Sequence, residues 1–147
     1  MAANETLWEN CRDGNLGVVK NFLENDGADP NSIRQEGTIH TCLMIAAGRN
    51  RDEVVSLLLD QPTIEVNKRG GYHNNTALHH ACVNNCEAAL KRLLSATGVD
   101  VNPLDVDNKT PIMVAVMYSS TECVRLMSAV AEVDLDCKFL DGQTLER

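Results

Sequence analysis

The segments TCLMIAA (residues 41–47), TALHHAC (76–82) and TPIMVAV (110–116) share one pattern, in which a threonine precedes a short apolar stretch that contains alanine. The leading threonines, at positions 41, 76 and 110, are 35 and 34 residues apart, and a further step of 34 residues reaches Thr144. Self-similarity at a fixed interval of about 20–50 residues is typical of repeat proteins. The chain is therefore predicted to consist of repeated structural units.

A second landmark follows the same interval. Each of four short segments ends in asparagine or aspartate, eight positions after an apolar run ends. The segments are NDGADPN, QPTIEVN, TGVDVN and EVDLD, they end at Asn31, Asn67, Asn102 and Asp136, and the runs end at Leu23, Leu59, Leu94 and Ser128. Because this landmark is independent of the threonines, it supports the same period.

The residue types inside each unit predict two helices and a hairpin. A threonine side chain can accept a hydrogen bond from an unpaired amide at a helix start, and proline, as at Pro111, suits the first turn. The first helix of each unit is predicted to end at Gly14, Asn50, Asn85 or Ser119. Glycine and asparagine tolerate the left-handed backbone that ends a helix, and a serine takes this place in the fourth unit. Apolar residues at helical spacing predict a second helix. In the third unit, Leu94 of this helix is expected to contact the hydrophobic core. The turn-rich strings between units indicate a hairpin.

These features resemble the ankyrin repeat, whose signature is T-P-L-H-x-A. The resemblance implies an all-α repeat solenoid in a single domain, 1–147, with a helix pair and a β-hairpin loop in each unit. Four repeats and a partial fifth are expected, at about 1–32, 33–67, 68–102, 103–136 and 137–147. Met44 and Met113 replace the signature histidine, and Glu146 stands where the family has leucine. Either the sequence is part of a longer protein, or its last unit is a degenerate end cap.

His79, Cys82 and Cys86 raise the question of a metal site. On one helix the outer two would be about 10 Å apart along the axis, too far to bind one zinc ion at bond lengths of about 2.0–2.3 Å. The repeat register also ends the first helix at Asn85, so that Cys86 belongs to the next helix. We therefore expect no metal and no cofactor. By resemblance, His79 should form a hydrogen bond between neighbouring repeats, and the cysteines should be packed thiols.

Composition and charge narrow the function. A net charge of −8 disfavours nucleic acid and anionic membrane surfaces as partners, because such binding needs clustered lysine and arginine. No apolar run is long enough to span a bilayer, and the first residues do not form a secretory signal. We expect an intracellular protein, cytoplasmic or nuclear, that is monomeric. It has no phosphate-binding glycine loop and no evident nucleophile or acid–base pair, which predicts that it is not an enzyme.

The resemblance places a protein partner in a concave groove lined by the hairpin fingers and the ends of the first helices. By register, the residues expected to contact the partner are Arg34, Arg49, Arg69, Tyr72, His73, Leu104, Val106, Met117, Tyr118, Phe139 and Leu140. The basic members, with Lys68, lie in the middle of the chain, and apolar members lie towards its C-terminus. Trp8, in the first helix, is expected to seal the open end of the stack.

We therefore predict a non-catalytic protein-interaction module, an adaptor or scaffold that binds a peptide or a small domain in its groove. The alternative is a regulatory inhibitor that masks a functional surface of its partner. A metal or thiol site is the third alternative.

Overall fold

The computed structural model describes residues 2–34, 37 and 39–136, with only the backbone described for residues 2–6. The predicted partial fifth repeat, with Cys137, Phe139, Leu140, Thr144 and Glu146, lies outside the described residues.

Helices occur as four consecutive pairs in the described part of the chain. The first helices are α1 (Ala2–Asp13), α3 (Cys42–Gly48), α5 (Ala77–Val83) and α7 (Pro111–Met117), and the second helices are α2 (Leu16–Glu24), α4 (Asp52–Leu59), α6 (Glu87–Leu94) and α8 (Thr121–Ser128). Each first helix packs against the first helix of the next pair, and the second helices do the same. The predicted all-α repeat solenoid is therefore confirmed.

The loops between pairs form three fingers, which the structure describes at residues 33–34, 37 and 39–41, at residues 68–76 and at residues 103–110. In the first finger, β1 (Ile33–Arg34) pairs antiparallel with β2 (His40–Thr41). The second finger has one isolated bridge, between Gly70 and Asn75. In the third finger, the Asp105 amide donates to the Lys109 carbonyl at 3.0 Å. The predicted hairpin is thus a regular strand pair in the first finger alone of those described.

Backbone hydrogen bonds connect each finger to the next. The Gly71 amide donates to the Ile39 carbonyl at 2.7 Å, and the Val106 amide donates to the His73 carbonyl at 3.0 Å. At Gly70 a side chain would collide with the Ile39 carbonyl oxygen, so only glycine permits this close approach. The fingers therefore form one continuous row.

Threonine caps the first helix of the second and fourth repeats, as predicted. The Thr41 hydroxyl accepts a hydrogen bond from the Met44 amide at 3.1 Å, and the Thr110 hydroxyl accepts one from the Met113 amide at 3.4 Å. In return, the thioether sulfur of each methionine accepts from the threonine amide, at 3.5 and 3.3 Å. At the signature histidine position, the methionine sulfur therefore acts as a weak hydrogen-bond acceptor within its own repeat.

His79, in the third repeat, forms both a local hydrogen bond and a hydrogen bond to the next repeat. Its Nδ1 accepts a hydrogen bond from the Thr76 amide at 3.1 Å, and its Nε2 donates to the Lys109 carbonyl in the next repeat at 2.9 Å. The predicted inter-repeat hydrogen bond is confirmed. Burial lowers the pKa of His79, which keeps the ring neutral and able to accept at Nδ1.

All four residues predicted to end the first helices have a left-handed backbone, with φ of 79° at Gly14, 57° at Asn50, 52° at Asn85 and 55° at Ser119. The two asparagines also contact the next repeat. The Asn50 side-chain oxygen accepts from the Ala89 amide at 3.0 Å, and that of Asn85 accepts from the Cys123 amide at 3.3 Å. Each caps the first turn of the following repeat's second helix.

Asparagines at the finger bases link each pair of adjacent repeats among the four that the structure describes. In each case the side-chain NH₂ donates to a carbonyl of the next repeat, and the side-chain oxygen accepts from an amide two residues further on. The pairs are Asn31 with Thr63 (2.7 Å) and Glu65 (2.8 Å), Asn67 with Gly98 (2.9 Å) and Asp100 (2.8 Å), and Asn102 with Glu132 (2.8 Å) and Asp134 (2.8 Å). The second landmark of the sequence is thus an inter-repeat bridge.

The core between the two helix layers is aliphatic and contains thiols. Leu93 is fully buried, whereas Leu94, the predicted core residue, is only partly buried. The five cysteines that the structure describes are all buried and unoxidised, which confirms packed thiols at those positions: Cys11, Cys42, Cys82, Cys86 and Cys123. Hydrogen bonds to a second thiol, together with burial, raise the pKa of Cys11 and of Cys82. Both remain protonated thiols.

Asn67→Ala removes two hydrogen bonds between the second and third repeats. We expect it to lower the free energy of unfolding by about 1–2 kcal/mol, since each net bond contributes about 0.5–1.5 kcal/mol. Asn25→Ala is the control, because the Asn25 side chain donates a hydrogen bond to Asn21 within its own repeat, and it should cost less than about 0.5 kcal/mol. Urea unfolding measures both, and equal losses would contradict the bridging role.

Protonation of His79 should destabilise the fold. Because its folded pKa lies below the ordinary value of 6.5, the unfolded chain binds the proton first, and stability falls as the pH drops below that value. His79→Met, which copies Met44 and Met113, should make the free energy of unfolding depend less steeply on pH between 7 and 5. Denaturant titrations at several pH values test this, and identical slopes would refute it.

Candidate functional site

The fingers and the C-terminal ends of the first helices form one surface, here named the groove surface. It comprises residues 12–13, 48–49, 83–84 and 117–118 of the helix ends and the three fingers. Pockets open on it towards each end of the described helix stack. The core does not need the outward side chains of the fingers or these helix-end residues. The groove surface is therefore available for contacts with another molecule.

The C-terminal pocket lies between the second and third fingers and the end of α7. It has a volume of about 540 Å³, and its lining includes His73, Val106, Lys109, Met117 and Tyr118. Tyr118 is 61% exposed, Met117 58% and Val106 56%. The structure thus brings four of the predicted contact residues together, and Leu104, 47% exposed, lies in the same finger.

The third finger is held in shape by Asp105. One oxygen of its carboxylate accepts hydrogen bonds from the amides of Asp107, at 2.8 Å, and Lys109, at 2.9 Å. Asn108 adopts the left-handed conformation, with φ of 58°, which closes the turn. This geometry exposes the Val106 side chain beside the pocket. Asp105 is therefore a structural residue of the turn.

The N-terminal pocket, here named the Trp8 pocket, spans the first three repeats. Its volume is about 250 Å³, and it is lined by Trp8, Arg34, His40, Met44, Ile45, Gly48, Arg49, His80 and Asn84. It therefore contains two of the predicted contact residues, Arg34 and Arg49. The histidines were not predicted as contact residues, because the repeat pattern alone does not indicate that residues 40 and 80 meet across two repeats.

Trp8 does not seal the end of the stack, and that expectation is wrong. Its indole N–H donates to the His40 carbonyl of the second repeat at 3.0 Å, and the side chain is 5% exposed. The guanidinium carbons of Arg34 and Arg12 lie 5.1 and 5.7 Å from the centre of a Trp8 ring. Trp8 is directed towards the second repeat because a polar indole N–H needs an acceptor when it is buried.

His80 lies in the Trp8 pocket with an unsatisfied nitrogen. Its Nε2 is buried and has no hydrogen-bond partner among the described residues. The ring packs edge-on against that of His40, with centroids 5.1 Å apart. Burial, with smaller contributions from the charges of His40 and His79, lowers the pKa of His80 to about 4. The ring is therefore neutral at pH 7.

The remaining predicted basic residues, Lys68, Arg69 and His73, lie in the second finger, outside the Trp8 pocket. Lys68 forms an ion pair with Glu65 at 3.0 Å, and the Arg69 guanidinium donates to the Leu104 carbonyl of the next finger. His73 lies 3.9 Å from the Asp107 carboxylate, with both side chains well exposed. The basic set is thus divided between finger contacts and the Trp8 pocket. Tyr72 is 83% exposed at the tip of the second finger.

His79, Cys82 and Cys86 do not converge on one point. Both ring nitrogens of His79 are hydrogen-bonded, and Cys86 is the residue before α6, with its thiol 3.4 Å from the Gly48 carbonyl. Across residues 2–34, 37 and 39–136, no three His, Cys, Asp or Glu side chains are grouped so as to hold a metal ion. No helix in this part of the chain is long and apolar enough to cross a membrane.

Several known proteins are similar to this chain in sequence. The chain is similar to the target of rapamycin complex 2 subunit AVO2 of Saccharomyces cerevisiae, at 29% identity over 82% of this chain and 28% of that protein. It is 44% identical to the human SMC5-SMC6 complex localization factor protein 1, over 47% of this chain and 6% of that protein. It is also 30% identical to the E3 ubiquitin-protein ligase KEG of Arabidopsis thaliana, over 88% of this chain and 8% of that protein.

The chain thus spans less than a third of the length of each of these relatives. A family model for ankyrin repeats, in three copies, matches residues 7–105, which include the capping Thr41 and the inter-repeat asparagines Asn31, Asn67 and Asn102. Together with the stacked helix pairs, this match shows that the chain belongs to the ankyrin repeat family.

Proposed function

We propose that this protein is an adaptor or scaffold that binds a partner protein, as a peptide segment or a small domain, on the groove surface. Ankyrin repeats are protein–protein interaction modules. The observation that carries the proposal for this chain is the group of exposed apolar side chains around the C-terminal pocket: Leu104, Val106, Met117 and Tyr118.

These side chains are costly to expose. Burying apolar area against a partner contributes about 25 cal/mol per Å², and a large residue buried fully contributes about 1.5–3 kcal/mol. Tyrosine is common among the residues that dominate binding energy, and methionine adapts to irregular surfaces. Met117 and Tyr118 are adjacent at the end of α7, so a single apolar side chain of a partner could contact both.

The names of two relatives support a role in assemblies, since one is a complex subunit and the other is a complex localization factor. The role of an inhibitor would use the same surface and would differ in its effect on the partner. We propose further that the module is non-catalytic, monomeric and intracellular, in the cytoplasm or nucleus, and that it does not bind nucleic acid. The single domain of four repeats and a partial fifth, with the boundaries given above, is part of this proposal.

Met117→Ala together with Tyr118→Ala tests the groove surface. The partner is first captured by pull-down with the unaltered chain and identified by mass spectrometry. The double variant should then bind it more weakly by more than about 2 kcal/mol, or about 30-fold, as expected for truncated anchor residues. Calorimetry measures the affinity, and thermal unfolding should change little, because both side chains are exposed.

The matched control is Val18→Ala together with Lys20→Ala, which truncates an exposed apolar and an exposed long side chain on α2. Its affinity should equal that of the unaltered chain. If the control loses binding and the groove variant does not, the partner contacts the second helices and the proposal is wrong.

A further inference from the structure

The lining of the C-terminal pocket combines apolar surface with negative charge. Val106, Met117 and Tyr118 supply exposed apolar surface, and Asp105 and Asp107 lie in the same lining. A purely apolar side chain of a partner would cover these carboxylates without pairing them, and an unpaired charge that loses its water is strongly disfavoured. The pocket therefore suits a side chain that is apolar along its length and positively charged at its end.

Asp107 presents the carboxylate that such a charge can reach. Its side chain is 67% exposed, and the only polar contact of that carboxylate among the described residues is with His73 Nδ1, at 3.9 Å. That contact is an ion pair only when the imidazole is protonated. The turn of the third finger uses the Asp107 amide, which donates to Asp105, and not the Asp107 carboxylate. The carboxylate can therefore bind a partner without any change in the finger.

The charge around the pocket favours a cation as the occupant. Acidic side chains outnumber basic ones over residues 73–136, and the whole chain has a net charge of −8. In the described part of the lining, Lys109 is the only lysine or arginine beside the two carboxylates. Its ammonium ends a flexible methylene chain and can turn to solvent. The field of this half of the protein therefore attracts and orients a positively charged segment.

Tyr118 favours arginine over lysine as that cation. Its ring is 61% exposed at the end of α7 and lines the pocket together with Asp107. A planar guanidinium stacks on an aromatic face and can donate two parallel hydrogen bonds to a carboxylate, whereas an ammonium is a compact, strongly hydrated charge. The methylene stem of an arginine packs on apolar side chains such as Val106 and Met117. Arginine thus matches both the apolar and the acidic parts of the lining.

We propose that the C-terminal pocket binds an arginine side chain on a basic segment of the protein partner. The guanidinium contacts the Asp107 carboxylate and the Tyr118 ring, and the methylene stem lies on Val106 and Met117. This inference rests on the proposed function, and it specifies the chemistry of the partner at the same surface.

Three capped alanine peptides that differ only in their central residue are the probes. That residue is arginine, lysine or citrulline, which is an uncharged analogue of arginine with nearly the same shape. Each is titrated into the ¹⁵N-labelled full chain, and NMR follows the backbone amides of Val106, Met117 and Tyr118. We expect the arginine peptide to shift these amides and to bind about five-fold more tightly than the citrulline peptide and about two-fold more tightly than the lysine peptide.

Asp107→Asn removes the charge and keeps the backbone amide that holds the turn. It should reduce the preference for arginine over citrulline to less than about two-fold, while the citrulline peptide binds as before. Glu53→Gln is the matched control, because it removes the same charge from an exposed residue in the first turn of α4. The control should leave the preference unchanged, and thermal unfolding should change little in either variant.

Two further variants separate the contributions of the ring and of the competing cation. Tyr118→Leu keeps an apolar side chain and removes the ring, so the arginine peptide should lose its advantage over the lysine peptide. Lys109→Gln removes the cation of the lining, so both charged peptides should bind about two-fold more tightly and the citrulline peptide should not change.

The inference is overturned if the arginine peptide shifts none of the three amides, or if it binds no more tightly than the citrulline peptide. Equal losses in Asp107→Asn and Glu53→Gln would also overturn it, since they would indicate attraction by net charge alone. The captured partner separates this failure from that of the proposed function. If the partner binds the Asp107→Asn variant normally but not the Met117→Ala, Tyr118→Ala variant, the groove surface is correct and the arginine contact is wrong.

Discussion

A single helix pair of this protein cannot bury its own apolar face, and the rest of the structure depends on that constraint. Each pair must pack against a neighbour, so the contacts that stabilise the fold lie between repeats. The asparagines at 31, 67 and 102 orient neighbouring repeats, because the side-chain oxygen and the side-chain NH₂ of each form hydrogen bonds to the following repeat. Apolar packing supplies the energy, and these bridges fix the register.

The same constraint leaves the groove surface available for function. Since the threonine caps, the left-handed turns and the asparagine bridges satisfy the backbone, the finger tips and helix ends are free to vary in charge and polarity. In this chain, the residues that line the two ends of that surface differ in charge and polarity. Arg34 and Arg49 make the N-terminal pocket basic, whereas Met117 and Tyr118 make the C-terminal pocket apolar.

Much of the scaffold could be predicted from the sequence, because its rules are local and recur. The left-handed turns at Asn50 and Asn85 follow from residue type and period, and the capping by Thr41 follows from its place before an apolar run. Burial of the thiols followed from helix positions. The degree of burial is harder to predict: Leu94, expected to contact the core, packs against it but is only partly buried, whereas its neighbour Leu93 is fully buried.

The candidate site was less accessible to prediction, because it depends on contacts between residues distant in the sequence. The register indicates which of the described residues are exposed, but it does not reveal that Arg69 binds the Leu104 carbonyl or that Trp8 turns towards His40. The pairing of His40 with His80 likewise requires the three-dimensional stack. These are the features that divide one predicted basic cluster into finger contacts and a pocket.

The central claim is that the inter-repeat packing is the scaffold and the groove surface is the working face. Hydrogen exchange of the full chain, with and without its captured partner, tests this most directly, since local protection reports where backbone amides become less able to open. The account predicts that added protection falls on the fingers and the ends of α3, α5 and α7. Protection confined to α2, α4, α6 and α8 would contradict it.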